Sequence, residues 1–158
     1  MHRLLKLVHI GGLVISLGSI FTFLIISTLM EGASLENITF GRKIISTGTN
    51  ILTLPGMYVL TITGIWMGYK CYGLKRRFFQ LKLLLIMLVF INGYFFILPS
   101  VTLATEITVR SLVQGHLLLE YKTAYIKESM FGAVNILLII AAAVIGVWKV
   151  GDKSITNS

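Results

Sequence analysis

The segment LVHIGGLVISLGSIFTFLIISTLM, residues 7–30, decides the fold because it is long, apolar and contains a single ionisable side chain, His9. At about 1.5 Å per residue, one helix of this length crosses the roughly 30 Å hydrocarbon core of a bilayer. Arg3 and Lys6 precede it as in a signal peptide, but the apolar stretch exceeds the usual ~7–15 residues and has no clear small-residue cleavage site. We therefore expect a retained membrane anchor.

The composition of the whole chain agrees with a membrane protein. Of the 158 residues 56% are hydrophobic and 13% are charged, against a usual charged share of about 25%. The mean hydropathy is +0.88. Four apolar segments approach the ~20 residues of a spanning helix, and they are residues 7–30, 51–69, 81–98 and 130–148. We predict an all-α membrane protein, a single domain over 1–158 that forms a four-transmembrane-helix, up-down bundle.

The charges predict the orientation of this bundle. With the N-terminus inside, nine of the 14 lysines and arginines fall on the inner side: Arg3, Lys6, Lys70, Lys75, Arg76, Arg77, Lys82, Lys149 and Lys153. The outer side holds Arg42, Lys43, Arg110, Lys122 and Lys127, balanced by acidic residues that include Glu128. This asymmetry follows the positive-inside rule. It predicts a multi-pass protein of the bacterial cytoplasmic (inner) membrane with both termini in the cytoplasm.

Helical extensions are expected on the outer side of the bilayer. Ser34 has the residue type of an N-cap, so a helix can begin there. Gly41 and Gly48 weaken this helix, so it need not be continuous before span two. Pro55 predicts a kink or a helix start one residue earlier, and Pro99 predicts a bend near the outer end of helix three.

The polar groups within the spans favour a haem b site at the inner end of the bundle. An intramembrane histidine is costly unless it has a partner, and His9 shares its depth with Met67 and Lys82, just above Arg76 and Arg77. Imidazole would ligate the iron, a thioether could stand opposite, and the cations would bind the propionates. Each residue also has an ordinary interpretation, as a histidine that reaches water, a core methionine or topogenic cations.

The second axial ligand is left open. If helix three continues from Lys82 to about residue 114, His116 lies roughly 50 Å beyond the level of Lys82. His9 and His116 therefore cannot sandwich one haem within one chain. The remaining arrangements are His9 alone, His9 with Met67, or His9 with His2.

Other functions are disfavoured. The net charge of +8 follows the membrane topology, so we predict no nucleic-acid partner. The lone Cys71 excludes a disulfide framework within the chain and a thiolate zinc cluster. None of the four spans contains a carboxylate that could serve as a proton relay.

Three stretches carry a resemblance to known families: residues 5–12 (LKLVHIGG), Pro55 with residues 63–66 (TGIW), and residues 80–85 (QLKLLL). Over most of its length the chain resembles a family of small bacterial integral membrane proteins without assigned function, related to the copper-resistance D membrane domain and the HemJ-type protoporphyrinogen oxidases. The likeness to the oxidases implies bound haem b and functional roles for His9 and Lys82. Residues 21–24 depart from the oxidase pattern, and the closer likeness is to the family without assigned function.

Two hypotheses follow. The first is a haem-associated redox protein with His9 as the axial ligand. The second is a cofactor-free assembly or packing subunit of a membrane complex, in which small-residue stripes such as the Gly64 and Gly68 pair bind other helices. Both place the chain in a lipid bilayer, and both are compatible with a homodimer or a larger complex.

Overall fold

A computed structural model describes residues 2–73 and 75–149 of the chain; the side chain of His2 and residue Lys153 lie outside the described part. Helices make up nearly all of this part, and it contains no strand. The α-helices are α1 (His2–Leu29), α2 (Leu35–Gly48), α3 (Leu54–Tyr72), α4 (Arg77–Asn92), α5 (Leu98–Gln114) and α6 (Glu120–Trp148). The prediction of an all-α helical bundle is confirmed.

Four stretches are long and apolar enough to cross a membrane, and they are Arg3–Leu29, Leu35–Tyr72, Arg77–Gln114 and Glu120–Trp148. Each expected span lies on a different one, although the first was expected to end one residue beyond α1. The chain is therefore a multi-pass membrane protein.

The second and third stretches are much longer than a bilayer is thick. Each has 38 residues, or about 57 Å at 1.5 Å per residue. The surplus length forms a helical cap from α2, α5 and the start of α6. We call this end of the bundle the cap end, and the end where α1 begins and α6 finishes the terminal end.

A π-helical turn precedes each proline of the chain. Residues Thr49–Thr53 and Gly93–Ile97 form these turns, which end two residues before Pro55 and Pro99. Proline lacks an N–H and its ring clashes with the carbonyl four residues earlier. The wider turn relieves that clash, and the backbone continues as one helix on either side. The expected helix start before Pro55 is where α3 begins.

The weakening expected at Gly41 and Gly48 produces no break, because α2 runs through Gly41 to Gly48 and continues into the π-helical turn. Both glycines make room for side chains of residues 23–30. A Cβ at Gly41 would collide with the Met30 side chain, and one at Gly48 would lie 2.6 Å from the Phe23 ring. Ser34 is the N-cap of α2 as predicted, accepting a hydrogen bond from the Asn37 amide at 3.4 Å.

The α1 and α3 helices cross at a glycine pair. A Cβ at Gly12 would lie 3.0 Å from the Gly56 carbonyl oxygen, and a Cβ at Gly56 would lie 3.2 Å from the Gly12 carbonyl oxygen. The two backbones therefore touch directly, as in small-residue crossings of membrane helices.

The helices are packed unevenly. α1 packs along α3, α4 packs along α6, and in the cap α5 packs on both α2 and α6. The clusters of buried apolar residues lie in the cap, around Ile45 with Val101 and around Ala104 with Ile107. In contrast, α1 and α6 make at most marginal contact in the described chain. This seam between the first and last helices leaves space inside the bundle.

Candidate functional site

The terminal half of the bundle encloses a cavity of about 200 Å³, which we call the His9 cavity. All four long helices contribute to it. Its walls are His9, Leu13, Ser16 and Leu17 of α1, Met57, Leu60, Thr61 and Gly64 of α3, Lys82, Ile86 and Val89 of α4, and Ile139, Ala142 and Ala143 of α6. Of the residues predicted for a site, His9 and Lys82 meet here.

The imidazole of His9 is held by a defined hydrogen bond. Its Nδ1 atom lies 2.9 Å from the Thr63 hydroxyl oxygen, and that hydroxyl also lies within hydrogen-bond distance of the Val59 carbonyl, at 2.6 Å, and the Leu60 carbonyl, at 3.2 Å. When the hydroxyl donates to a carbonyl, the Nδ1–H group donates to the hydroxyl, and in that tautomer of neutral His9 the Nε2 atom keeps a lone pair.

Gly64 supports the imidazole from the opposite helix. A Cβ at this position would lie 2.9 Å from the His9 Cε1 atom, closer than real contacts allow. The ring therefore rests on the bare backbone of α3. Of the small-residue pair predicted for partner binding, Gly64 seats His9 and Gly68 seats the ring of Phe79.

Lys82 supplies positive charge to the same cavity. Its ammonium group lies against Gly146 of α6, where a Cβ would be 3.1 Å from Nζ. Among the described residues, no carboxylate lines the cavity. An anionic group in the cavity would therefore meet a cation without a competing acid.

Three other predicted site residues do not line the cavity. Met67 is partly buried on α3, and Arg76 and Arg77 are exposed at the start of α4. The methionine that does line it is Met57, only 7% exposed. Met57 lies seven residues before Gly64 and Met67 three residues after it, so both methionines fall within about 60° of Gly64 around the helix. Helical phase alone therefore does not distinguish the two methionines.

His116 lies apart from this site, in the turn after α5 at the cap end. Its Nδ1 atom lies 3.2 Å from the Gln114 carbonyl oxygen, and the residue is exposed. The expected separation of His9 and His116 agrees with their positions at opposite ends of the bundle.

A second cavity, of about 230 Å³, lies toward the cap end, and we call it the Glu128 cavity. It is bounded by α1, α2, α3, α5 and α6 and by the two π-helical turns. Most of its walls are apolar, including Phe23, Ile45 and Ile97, and its polar members include Glu128 and Asn135. Met57 lines both cavities.

Arg42 and Glu128 form a buried ion pair beside this second cavity. The arginine side chain is 0% exposed and the glutamate side chain 14% exposed. The Arg42 Nη2 atom also donates to the Val101 carbonyl at 3.4 Å, while Nε and Nη1 have no hydrogen-bond partner among the described residues. Burying two charges costs several kcal/mol each before their attraction is counted.

This pair was not predicted from the sequence, because both residues were counted as outer-side charges. Helical phase contained the signal. Position 42 falls on the same face of α2 as the buried residues Ile38, Thr39 and Ile45, at spacings of three and four.

A second polar contact that was not predicted joins α4 to α6 near mid-bundle. The Asn92 side-chain amide donates to the Phe131 carbonyl at 2.8 Å and to the Asn135 side-chain oxygen at 3.3 Å. Both asparagines are buried. The contact fixes the position of Asn135 on the wall of the Glu128 cavity.

Comparison with known proteins adds no neighbour: no protein-family model, curated protein or solved structure matches the chain significantly. The functional argument therefore depends on the geometry of the two cavities.

Proposed function

We propose that the chain is a haem-associated redox protein of the bacterial cytoplasmic membrane, in which His9 is the axial ligand. The observation that carries the proposal is the hydrogen bond from His9 Nδ1 to Thr63. Histidines that ligate metals usually donate their other ring N–H to an acceptor, which fixes the tautomer and the ring orientation. The contact of His9 Nδ1 with Thr63 supports such an arrangement, in which Nε2 would bind the iron.

The residues around His9 fit the ligand atoms of a haem, and the cavity fits part of its body. Lys82 offers a cation for a propionate in the same space. A volume of about 200 Å³ is smaller than a whole porphyrin. The proposal therefore requires that the seam between α1 and α6 accommodates the rest of the macrocycle.

Each of these side chains has its own task in the proposal. Thr63 orients the imidazole, Gly64 keeps the ring against α3, and Lys82 offsets negative charge. Haem iron, when bound, supplies one-electron chemistry. Arg76 and Arg77 are assigned no direct contact, because neither lines the cavity.

The proposed orientation places the terminal end in the cytoplasm. The charge asymmetry supports it through the positive-inside rule. Aromatic residues at this end support a membrane interface there. Trp66 and Trp148 are 52% and 73% exposed, and the Lys70 ammonium lies 5.3 Å from the Trp66 ring centre, an arrangement typical of interfacial belts.

The test is the visible spectrum of protein purified from cells that make haem. We expect a Soret band in the wild type, its loss in His9→Ala, and its retention in the control His116→Ala, which changes the exposed histidine at the cap end. A folded, colourless wild-type preparation would overturn the proposal.

An assembly subunit is the second candidate, and two glycines on one face of α1 favour it. A Cβ at Gly11 or Gly18 would meet nothing within 4 Å, and the two are seven residues apart on one helix face. Small residues let a partner helix approach closely. If this face binds a partner or a second copy of the chain, Gly18→Leu should break the complex while His9→Ala leaves it intact. Gly64 and Gly68 are poor probes, because they pack inside the chain.

A further inference from the structure

The Glu128 cavity has the size of one substituted aromatic ring. Its volume is about 230 Å³, and an engineered apolar protein cavity of about 150 Å³ already binds benzene. Its walls are predominantly apolar side chains from several helices. A planar hydrocarbon body would fill space that is unfavourable for an ion or for scattered water.

The cavity also has a route to the membrane. Leu24 of α1 is 50% exposed, and Ser129 and Ala133 of α6 are exposed, yet all three line the cavity. They lie on the two helices that make at most marginal contact. A ligand dissolved in the hydrocarbon phase can therefore enter sideways, between α1 and α6.

Two polar groups define what such a ligand must carry. Glu128, the acid of the buried pair, presents carboxylate oxygens that accept hydrogen bonds. Asn135 uses its side-chain oxygen to accept from Asn92, which leaves its amide N–H groups to donate. The two residues are seven apart on one face of α6, so they are separated by about 10.5 Å along the helix.

We infer that the Glu128 cavity binds a lipophilic hydroquinone, with one ring hydroxyl donating to Glu128 and the opposite ring oxygen accepting from Asn135. The two ring oxygens lie at opposite ends of a flat apolar body, as the polar groups of the cavity do. An alkyl tail extends through the seam beside Leu24.

Other membrane-soluble ligands fit less well. A fatty acid would place its carboxylate against the carboxylate of Glu128. A simple long-chain alcohol would satisfy Glu128 and leave Asn135 without a partner, at the cost of a buried polar group. The inference does not require haem, because the lining residues of the two cavities share only Met57.

Calorimetric titration of the full-length protein in lipid nanodiscs tests the inference. The probe is decylhydroquinone kept reduced under argon, and the comparison ligand is decylbenzene, which has the same body without hydroxyls. We expect saturable binding of the hydroquinone alone. Asn135→Leu should weaken it about tenfold, as expected for one lost hydrogen bond to the ligand.

Blocking variants separate cavity binding from partition into lipid. Gly132 lines the cavity, and a Cβ there meets nothing within 4 Å, so Gly132→Phe should fill the space and abolish binding. Ser129→Phe is a second blocking variant on the same wall. Val134→Phe is the matched control, since Val134 is 46% exposed on α6 and does not line the cavity.

Equal binding by the wild type and both blocking variants would overturn the inference, as would equal binding of decylbenzene. The Soret band gives a separate readout for the His9 cavity. If a colourless protein binds the hydroquinone, the hydroquinone inference stands and the haem proposal fails. If the protein has a Soret band but does not bind the hydroquinone, the haem proposal stands and the hydroquinone inference fails.

Discussion

The Nδ1 atom of His9 lies 2.9 Å from the Oγ1 atom of Thr63, and this contact joins α1 to α3 beside the His9 cavity. The threonine hydroxyl has the Val59 and Leu60 carbonyls within reach, and when it donates to either of them the histidine donates to its oxygen. A polar contact of this kind orients a side chain for binding in addition to fastening two helices.

Thr63→Val should impair haem retention if His9 is the ligand. Valine has nearly the shape of threonine but cannot accept the Nδ1 proton, and loss of such an outer partner typically weakens metal binding about 10–100-fold. The haem-to-protein ratio after purification, and after dilution into apomyoglobin as a haem acceptor, measures the change.

Thr63→Ser and Thr22→Val are the controls for that experiment. Serine keeps the hydroxyl, and Thr22 is an exposed threonine of α1 whose hydroxyl bonds only within its own helix, to Gly18 at 2.9 Å. Both should retain haem as the wild type does. Wild-type retention in Thr63→Val would show that the hydrogen bond has no role in binding.

Removing one member of the buried ion pair should destabilise the cap strongly. Arg42→Met leaves the carboxylate of Glu128 without its partner in a largely buried site, and such changes typically cost about 3–5 kcal/mol. The double variant Arg42→Met with Glu128→Gln should recover part of this loss. Thermal unfolding in detergent, followed by tryptophan fluorescence, gives the comparison.

The exposed pair in the same cap provides the matched control. Arg110 and Glu120 lie 3.6 Å apart with side chains 56% and 68% exposed, and exposed pairs contribute about 0–1 kcal/mol. Arg110→Met should therefore leave the melting temperature nearly unchanged. Similar shifts in melting temperature for Arg42→Met and Arg110→Met would contradict the conclusion that burial makes the Arg42–Glu128 pair more important for stability.

Two adjacent glycines of α1 should respond differently to the same substitution. A Cβ at Gly12 would lie 2.9 Å from the Leu60 backbone nitrogen, whereas one at Gly11 meets nothing within 4 Å. Backbone atoms cannot move aside as a side chain can, so Gly12→Ala should cost about 1–3 kcal/mol, the usual range for overpacking. Gly11→Ala should be tolerated. Equal melting temperatures for the two variants would contradict the close crossing of α1 and α3 at Gly12.

The helical class of the fold could be predicted from the sequence because the lengths of the apolar runs are dictated by bilayer thickness. The N-cap at Ser34 and the helix start before Pro55 could also be predicted, because a capping side chain and the missing N–H of proline affect only the adjacent turn of helix. The role of Gly41 and Gly48 could not be predicted, because it depends on which side chains from residues 23–30 pack against them. Helix propensity indicated only that the two glycines weaken the helix, whereas the tertiary structure uses them for close contacts.

The residues of the candidate site also differ in whether local sequence or tertiary packing determines their role. His9 and Lys82 could be identified from the sequence because placing an ionisable side chain in an apolar segment costs free energy. That argument does not require knowing which residues lie next to them in the fold. Met57 and the pair Arg42–Glu128 need the phase of a helix relative to its partners. The ion pair Arg42–Glu128 was not predicted because the charges were only counted on each side of the membrane. Such a count assumes that every charged side chain is exposed to water.

The most direct test of the central claim is chemical rescue of His9→Gly, which removes the imidazole and leaves a space of its shape. We predict that the purified variant lacks the Soret band, that millimolar imidazole restores it in the presence of haem, and that imidazole leaves His116→Gly unchanged. A wild-type spectrum in His9→Gly without imidazole would contradict the assignment of His9 as the axial ligand.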